Sequence, residues 1–277
     1  MNEKDNKNQQ QNIIHEKLIE YIDLINIQFR EPASGIFASL PLIANNISNN
    51  NTEKALDNLY YVHQNTYMIL RSINNMSVTA KLMGGKTFSR EVIDFSNMVK
   101  SIYSASDMIL PGYFKADTEI DDGCYIYGNN ALLSVGLLNI LLNSFDYRQD
   151  DDVKISVQLK REKGRSVLIY KDNSIGIKPE IAEEVFNPFF TANPYCDGES
   201  GMKMGVGLYI AQQAVKHAGG TMLLQTEFSE GVCYVISIPD SITACDNVLK
   251  SSTKDYLLNR YSDVFVQLAE YCNLPDL

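Results

Sequence analysis

The chain has 277 residues, of which 45% are hydrophobic, and its formal net charge at pH 7 is −10. This length suits one or two domains, and the apolar fraction predicts a packed core rather than a disordered chain. The negative charge disfavours a nucleic-acid partner, and five scattered cysteines without a Cys-x-x-Cys pair predict neither a disulfide framework nor a zinc site.

The chain starts with a polar, Asn/Gln-rich segment over residues 1–12. It has no apolar stretch of the kind found in signal peptides, and the whole sequence has no run of 18 apolar residues. The sequence therefore predicts a cytoplasmic protein that has no membrane-spanning segment.

Residues 13–83 carry two apolar stripes at helical spacing, separated by the polar turn Ser48–Thr52. The stripes consist of Ile14, Leu18, Ile22, Ile25, Ile36, Leu40, Ile43 and Ile47, and of Leu59, Val62, Thr66, Ile69, Ile73 and Met76. Two long helices joined by a short turn predict an antiparallel hairpin, with a bend expected at Pro32. Two such hairpins can close a four-helix bundle, so we expect a homodimer. A monomeric helical cap on the following domain is the alternative.

Residues 84–241 begin with the helix-breaking pair Gly84-Gly85 and then show mixed patterns. Strands are predicted at residues 124–127, 153–159, 167–170, 221–226 and 233–238, and helices at 95–105, 131–145 and 207–218. This alternation predicts an α/β sandwich with helices on one face of a sheet. The fold class is therefore α+β, a helical hairpin followed by a sandwich.

Residues 242–277 carry a last stripe at steps of four and three, formed by Leu257, Tyr261, Val264, Leu268 and Tyr271. The stripe predicts one amphipathic helix. Packing on the same chain is the favoured interpretation, and a partner-binding helix is the alternative.

Three segments within the predicted sandwich carry candidate chemistry. Asn139 and Asn143 share one helix face, and a neutral amide oxygen suits Mg²⁺ with attached phosphates. Asp172 ends a predicted strand and could accept a hydrogen bond from an exocyclic amine. Gly205 and Gly207 open a predicted helix, where backbone N–H groups bind anions. Each segment alone is also compatible with ordinary surface hydrogen bonds, a loop acid or a tight turn.

Together, these segments resemble in order and content the ATP-binding domain shared by histidine kinases, type II topoisomerases, a class of heat-shock chaperones and mismatch-repair ATPases. Residues 185–191 look like the aromatic box of the histidine kinase branch, and residues 191–204 look like its mobile lid. The resemblance covers residues 90–240. It identifies the chain as similar to histidine kinases and implies an α/β sandwich that binds ATP or ADP with Mg²⁺.

The resemblance also implies roles for individual residues. Asn143 matches the asparagine that binds Mg²⁺, Asn139 matches the polar residue one turn before it, and Asp172 matches the aspartate that reads the adenine amino group. The other residues that the resemblance places at the ATP site are Tyr147, Gly176, Ile177, Thr191, Gly205, Gly207 and Leu208. Family members that hydrolyse ATP efficiently have a glutamate base at the place of Asn139, so a hydrolase is disfavoured.

Three residues depart from the family pattern within the sandwich. Ser174 replaces a glycine, and a serine forced to positive φ would cost about 1–2 kcal/mol. Lys203 stands where the phosphate loop usually has its first glycine, and Asp146 replaces a residue that is often lysine. These departures predict weaker nucleotide binding than is usual in the family.

The hairpin contains the largest departure. Residues 27–32 resemble the phosphoacceptor box His-Glu-Leu-Arg-Thr-Pro, but Ile27 stands in place of the phosphorylated histidine and Gln28 in place of the acid. No catalytic residue is therefore assigned, because isoleucine cannot form a phosphoramidate. This pattern predicts an atypical or pseudo-histidine kinase in two-component or phosphorelay signalling, with a response regulator or another signalling protein as partner.

Two alternatives remain open at the level of sequence. An active phosphotransferase would use another histidine, His15 or His63, or a side chain of a partner, although a structural role is favoured for each of these histidines and for His217. A non-enzymatic interaction module would keep only a vestigial ATP site.

Overall fold

A computed structural model of the chain describes residues 3–149, 152–192, 204–225, 231–241, 250 and 252–272. Within the first helix, the side chains of residues 3–21, 23, 24 and 27 lie outside the described part. The chain forms two compact units, one of residues 1–72 with 193–204 and the other of residues 73–192 with 205–277.

The first unit is built on two helices, α1 (Glu3–Ser48) and α2 (Thr52–Met83), and α2 continues into the second unit. Within the first unit the helices lie side by side, since a Cβ added at Gly35 would come within 3.0 Å of side-chain atoms of Tyr61 and Asn65. The predicted hairpin and its turn are therefore present. The predicted polar segment 1–12 is mostly helical, because α1 starts at Glu3. The same helix continues through both Pro32 and Pro41.

The second unit contains the remaining elements. Its strands are β1 (Glu91–Asp94), β2 (Phe114–Ile120), β3 (Tyr125–Gly128), β4 (Val153–Glu162), β5 (Arg165–Asp172), β6 (Thr221–Leu224) and β7 (Cys233–Pro239). Its helices are α3 (Phe95–Ile109), α4 (Asn130–Asp146), α5 (Gly207–His217), α6 (Thr253–Leu258) and α7 (Asp263–Leu268). Strands β1 and β2 were not predicted, because β1 has only four residues and β2 is mostly exposed and lacks a clear apolar alternation.

The main sheet has five strands in the order β2-β4-β5-β7-β6. Strands β2 and β4 are parallel and the other pairs are antiparallel, while β1 and β3 form a separate two-stranded sheet. Helix α4 is buried from Leu132 to Leu142, and helices α5 and α7 both pack against it. A helix that is apolar nearly all round is stable only inside a protein. The predicted α/β sandwich is thus confirmed, with α4 at its centre.

The C-terminal segment differs from the single helix predicted for residues 242–277. It forms two short helices, because the Ser262 hydroxyl donates to the Tyr256 carbonyl and accepts the amide of Phe265, which starts α7 anew. Tyr261, expected within the apolar stripe, is 79% exposed, whereas Val264 and Leu268 are fully buried. Helices α6 and α7 pack on α3, and α7 also packs on α4, within the same unit.

No helix in the described part of the chain combines the length and the apolar character needed to cross a membrane.

Candidate functional site

Asn139 on α4 lies against the first residue of α5. It is only 4% exposed, and a Cβ added at Gly207 would come within about 3.3 Å of the Asn139 side chain. Its Oδ1 accepts a hydrogen bond of 3.3 Å from Nδ2 of Asn75. Within the described residues, no acceptor lies near the buried Nδ2 of Asn139. The fold therefore brings the asparagine motif and the glycine-rich helix start together, and the Asn139 Nδ2 group makes no hydrogen bond within the described residues.

Asp172 is the most heavily bonded side chain of the site. Its Oδ1 accepts from the backbone amides of Ser174 and Val232, both at 3.0 Å, and from the Ser174 hydroxyl at 2.6 Å. Its Oδ2 accepts from the hydroxyl of Ser144. Oδ1 thus accepts three hydrogen bonds and Oδ2 only one, although each carboxylate oxygen can accept more than one. The buried side chain is thus fixed by neutral donors while Oδ2 keeps capacity for one more, which fits an amine ligand.

A chain of hydroxyl groups supports the Ser144 contact. The hydroxyls of Ser144 and Tyr170 are 2.6 Å apart. Because Ser144 gives its one proton to Asp172, Tyr170 must donate to Ser144. Burial raises the pKa of Tyr170 well above its ordinary value, and the neighbouring Tyr103 and Asp172 add to the effect. Tyr170 therefore stays protonated and remains a donor at physiological pH.

Two glycines are required by close backbone approaches. Gly205 has φ of +67°, and an added Cβ would lie 2.2 Å from the carbonyl oxygen of Phe190. At Gly231, an added Cβ would lie 2.0 Å from the carbonyl oxygen of Asp172. The first glycine was predicted as part of the phosphate-binding loop. The second was not, yet it lets Val232 reach the Asp172 carboxylate.

Ser174 does not carry the backbone strain considered from the sequence. It is not among the non-glycine residues with positive φ. Instead, its amide and hydroxyl both bind Asp172. The serine therefore stabilises the carboxylate that the missing glycine was expected to weaken.

The other predicted site residues are all half-buried. Tyr147 directly follows α4, and its carbonyl accepts the Ile175 amide, which ties the end of α4 to the turn that holds Gly176. Asn143 is half-buried one turn before Tyr147, next to Ser144. Half-buried positions are also found for Ile177, Thr191 and Leu208. The lid residues 193–203, which include Lys203, lie outside the described residues.

Several residues of the site were not predicted from the sequence. Ser144 directly follows Asn143, so its place in the motif was a usable signal. Asn75, Gln267 and Tyr271 are remote in sequence and gave none. Gln267 donates from Nε2 to Oδ1 of Asn75 at 3.1 Å, and Tyr271 donates to Oδ1 of Asp146.

The histidines in the described part have packing partners. The half-buried His63 ring lies 4.8 Å from the Tyr67 ring, centroid to centroid. His217 meets the Phe88 ring edge to face at 5.8 Å, and burial lowers its pKa. Ile27 and His15 are in α1, but their side chains lie outside the described part.

Comparisons of the sequence with known proteins point to histidine kinases and related ATPases. The model of the histidine kinase-, DNA gyrase B- and HSP90-like ATPase family matches residues 128–242. The chain is similar to the autoinducer 2 sensor kinase/phosphatase LuxQ of Vibrio vulnificus, with 23% identity over 82% of this chain and 27% of the relative. It is also similar to the CAI-1 autoinducer sensor kinase/phosphatase CqsS of Vibrio cholerae, with 26% identity over 44% of this chain and 17% of the relative.

A solved structure has the same fold over a larger share of the chain. The histidine kinase AdeS of Acinetobacter baumannii aligns with a TM-score of 0.52 at 16% identity, covering 76% of this chain and 96% of that one. The chain spans about a quarter or less of the length of the two sensor kinases it matches. These likenesses support the fold and the ATPase-type domain.

Proposed function

We propose that this chain is a member of the histidine kinase family, that it binds ATP or ADP with Mg²⁺, and that it signals without phosphorylating its own acceptor position. The main support for nucleotide binding is the Asp172 carboxylate. Four hydrogen bonds from neutral donors fix its position, and Oδ2 can accept one further hydrogen bond. A neutral adenine amine is a suitable donor for that place, because a hydrogen bond to a charged acceptor is stronger than one between neutral groups.

The nucleotide would lie along the elements that meet at Asn139 and Gly207. Asp172 would accept from the adenine amino group, the amides at the start of α5 would bind phosphate oxygens, and Asn143 would offer its amide oxygen to Mg²⁺. When bound, Mg²⁺ would neutralise part of the phosphate charge. The remaining proposed lining residues are Tyr147, Gly176, Ile177, Thr191, Gly205 and Leu208.

Asn139 argues against rapid hydrolysis. A neutral amide cannot take a proton from water, so the residue cannot serve as a general base. Its buried Nδ2 is instead suited to donate to a ligand oxygen. We therefore expect the nucleotide to be held rather than consumed, and to act by favouring one conformation of the protein.

The hairpin supports the second part of the proposal. Ile27 has no nitrogen that could carry a phosphoryl group, so transfer to this position is chemically excluded. The hairpin, residues 13–83, would serve for dimerisation and for contact with a response regulator or another signalling protein. The sandwich, residues 84–241, would sense the nucleotide.

Calorimetric titration with ATP and ADP in the presence of Mg²⁺ tests nucleotide binding. Asp172→Asn should weaken binding about tenfold or more, since about 1.4 kcal/mol is tenfold and a charge-assisted bond is lost. Asp122→Asn is the matched control, because its side chain is 90% exposed. Absence of binding heat in the unmodified protein at millimolar nucleotide would favour a vestigial site and contradict the proposal.

Incubation with γ-labelled ATP tests the acceptor position. The unmodified protein should remain unlabelled, whereas Ile27→His combined with Gln28→Glu restores a nucleophile and should recover labelling if the sandwich is competent. Acid-labile phosphate on the unmodified protein would instead establish a phosphotransferase, and mapping it to His15 or His63 would identify the acceptor.

A further inference from the structure

The C-terminal segment contacts the face of α4 that carries the asparagine motif. Tyr271 stacks on Phe145, with ring centroids 5.1 Å apart and planes inclined by 29°, and its hydroxyl donates to Oδ1 of Asp146. One turn earlier in the segment, Gln267 binds Asn75, which in turn binds Asn139. The segment thus reaches both ends of the Asn139–Asp146 face, which spans about two helical turns.

The packing of helix α7 and the residues after it holds Gln267 and Tyr271 in place. Val264, Leu268 and Ala269 are fully buried, and Gln267 is 1% exposed. Cys272 is buried as well, and burial raises the pKa of its thiol to about 12, so it behaves as an apolar group. The Tyr271 hydroxyl is therefore presented by a packed scaffold rather than by a free chain end.

Asp146 poses an electrostatic problem for the proposed ligand. It follows Asn143 by three residues, so the two side chains are neighbours on α4, with Cβ atoms about 5–6 Å apart. A carboxylate beside a Mg²⁺–phosphate group would either repel the phosphates or compete with Asn143 for the metal ion. The orientation of that carboxylate therefore affects how well the site can bind a polyphosphate.

We infer that Tyr271 is a positioning residue of the nucleotide site, which holds the Asp146 carboxylate so that it neither repels the phosphates nor replaces Asn143 at Mg²⁺. The inference rests on the proposed function, because it concerns the same site. A hydroxyl that donates to a carboxylate occupies one lone pair, disperses part of its charge and sets its direction. The C-terminal segment, which lies beyond the matched ATPase domain, is in this way a component of the site.

The test compares ligands that differ only in phosphate number. Calorimetry with adenosine, ADP and ATP in Mg²⁺ should show that Tyr271→Phe leaves adenosine affinity unchanged, weakens ADP, and weakens ATP most, by about fivefold to tenfold. The loss should shrink at high salt, as expected for charge repulsion. Tyr261→Phe removes the same hydroxyl from a side chain that is 79% exposed and should change none of the three affinities. An equal loss for all three ligands would reduce Tyr271 to a structural role and overturn the inference.

Asp146→Asn provides an independent test that does not depend on the stability of the Tyr271 variant. It should bind ATP at least as tightly as the unmodified protein, and Tyr271→Phe should have no further effect in its background. Weaker ATP binding by Asp146→Asn would mean that the carboxylate is itself a ligand, which overturns the inference. Wild-type binding of ATP by Tyr271→Phe would also overturn it, while failure of the unmodified protein to bind any nucleotide would refute the proposed function instead.

Discussion

The two compact units cover their apolar side chains in different ways. In the first unit, large apolar residues of the hairpin stay open to solvent, with Phe37 73%, Ile47 62% and Leu59 51% exposed. In the second unit, side chains such as Ile93 and Leu138 are completely buried. The candidate site keeps its residues in the closed unit, while the acceptor position with Ile27 belongs to the open one. The proposed nucleotide site thus lies in the unit with the buried core, whereas the proposed dimer contact lies in the unit with exposed apolar side chains.

Deleting one buried side chain of the C-terminal segment should have the largest effect. Leu268 is fully buried, so Leu268→Ala should lower the free energy of unfolding by about 2–5 kcal/mol. Leu258, ten residues earlier and 83% exposed, is the matched control, and its replacement by alanine should change stability by less than about 0.5 kcal/mol. Urea unfolding of both variants measures the difference. Equal stabilities would show that the second unit is not closed by this segment.

A comparison of two glycines separates a backbone clash from conformational strain. Gly205 and Gly164 both have positive φ, but only at Gly205 would an added Cβ strike a backbone oxygen. Gly164→Ala should therefore cost about 1–2 kcal/mol, and Gly205→Ala should cost more and also abolish nucleotide binding. Thermal melting and calorimetry measure the two effects. If the two variants had the same stability and nucleotide affinity, the close approach of the Phe190 carbonyl to Gly205 would not matter for either property.

A charge on the hairpin face tests whether the open unit is covered by a second copy. Leu59→Glu should weaken self-association about tenfold or more, because a charge buried without a partner is costly. Lys54→Gln changes the net charge by the same amount at an exposed position and should leave association intact. Light scattering over a range of concentrations distinguishes them. If Leu59→Glu had the same molar mass as the unmodified protein at every concentration, this face would not be part of the proposed dimer interface.

The smallest expected effect concerns pH. Burial raises the pKa of Asp263 at the start of α7 above its ordinary value. Below the unfolded pKa the group is protonated in both states, so stability is complete there and declines as pH rises through the higher folded pKa. Asp263→Asn should remove this loss, raising the melting temperature by about 2–4 °C at pH 7 and not at pH 4. A uniform shift at both pH values would contradict the assignment.

The sequence predicted those parts of the molecule that follow from local periodicity. The hairpin, helices α3, α4 and α5 and five of the strands were predicted, since their apolar spacing is regular. Strands β1 and β2 were not, and the break at Ser262 was missed because a hydroxyl cap depends on where the carbonyl of Tyr256 lies.

In the candidate site, too, residues in local motifs were predicted, whereas contacts between distant parts of the chain were not. The resemblance named Asn143, Asp172 and Gly207 as candidates, but it could not give the hydrogen bonds from Ser144 and Val232 to Asp172, which come from different elements. Nor could it give the hydrogen bond from Tyr271 to Asp146, two residues that are 125 positions apart in sequence. Long-range pairing is set by the fold and leaves no local pattern.

The packing of α7 on α4 also determines where the protein can be truncated without exposing its core. The matched ATPase domain ends at residue 242, yet the central helix of that domain is covered by residues that follow it. A fragment trimmed to the family boundary would expose the apolar surface that Val264, Phe265 and Leu268 conceal. A fragment that keeps this surface covered must therefore extend to about Cys272, well past the end of the matched domain.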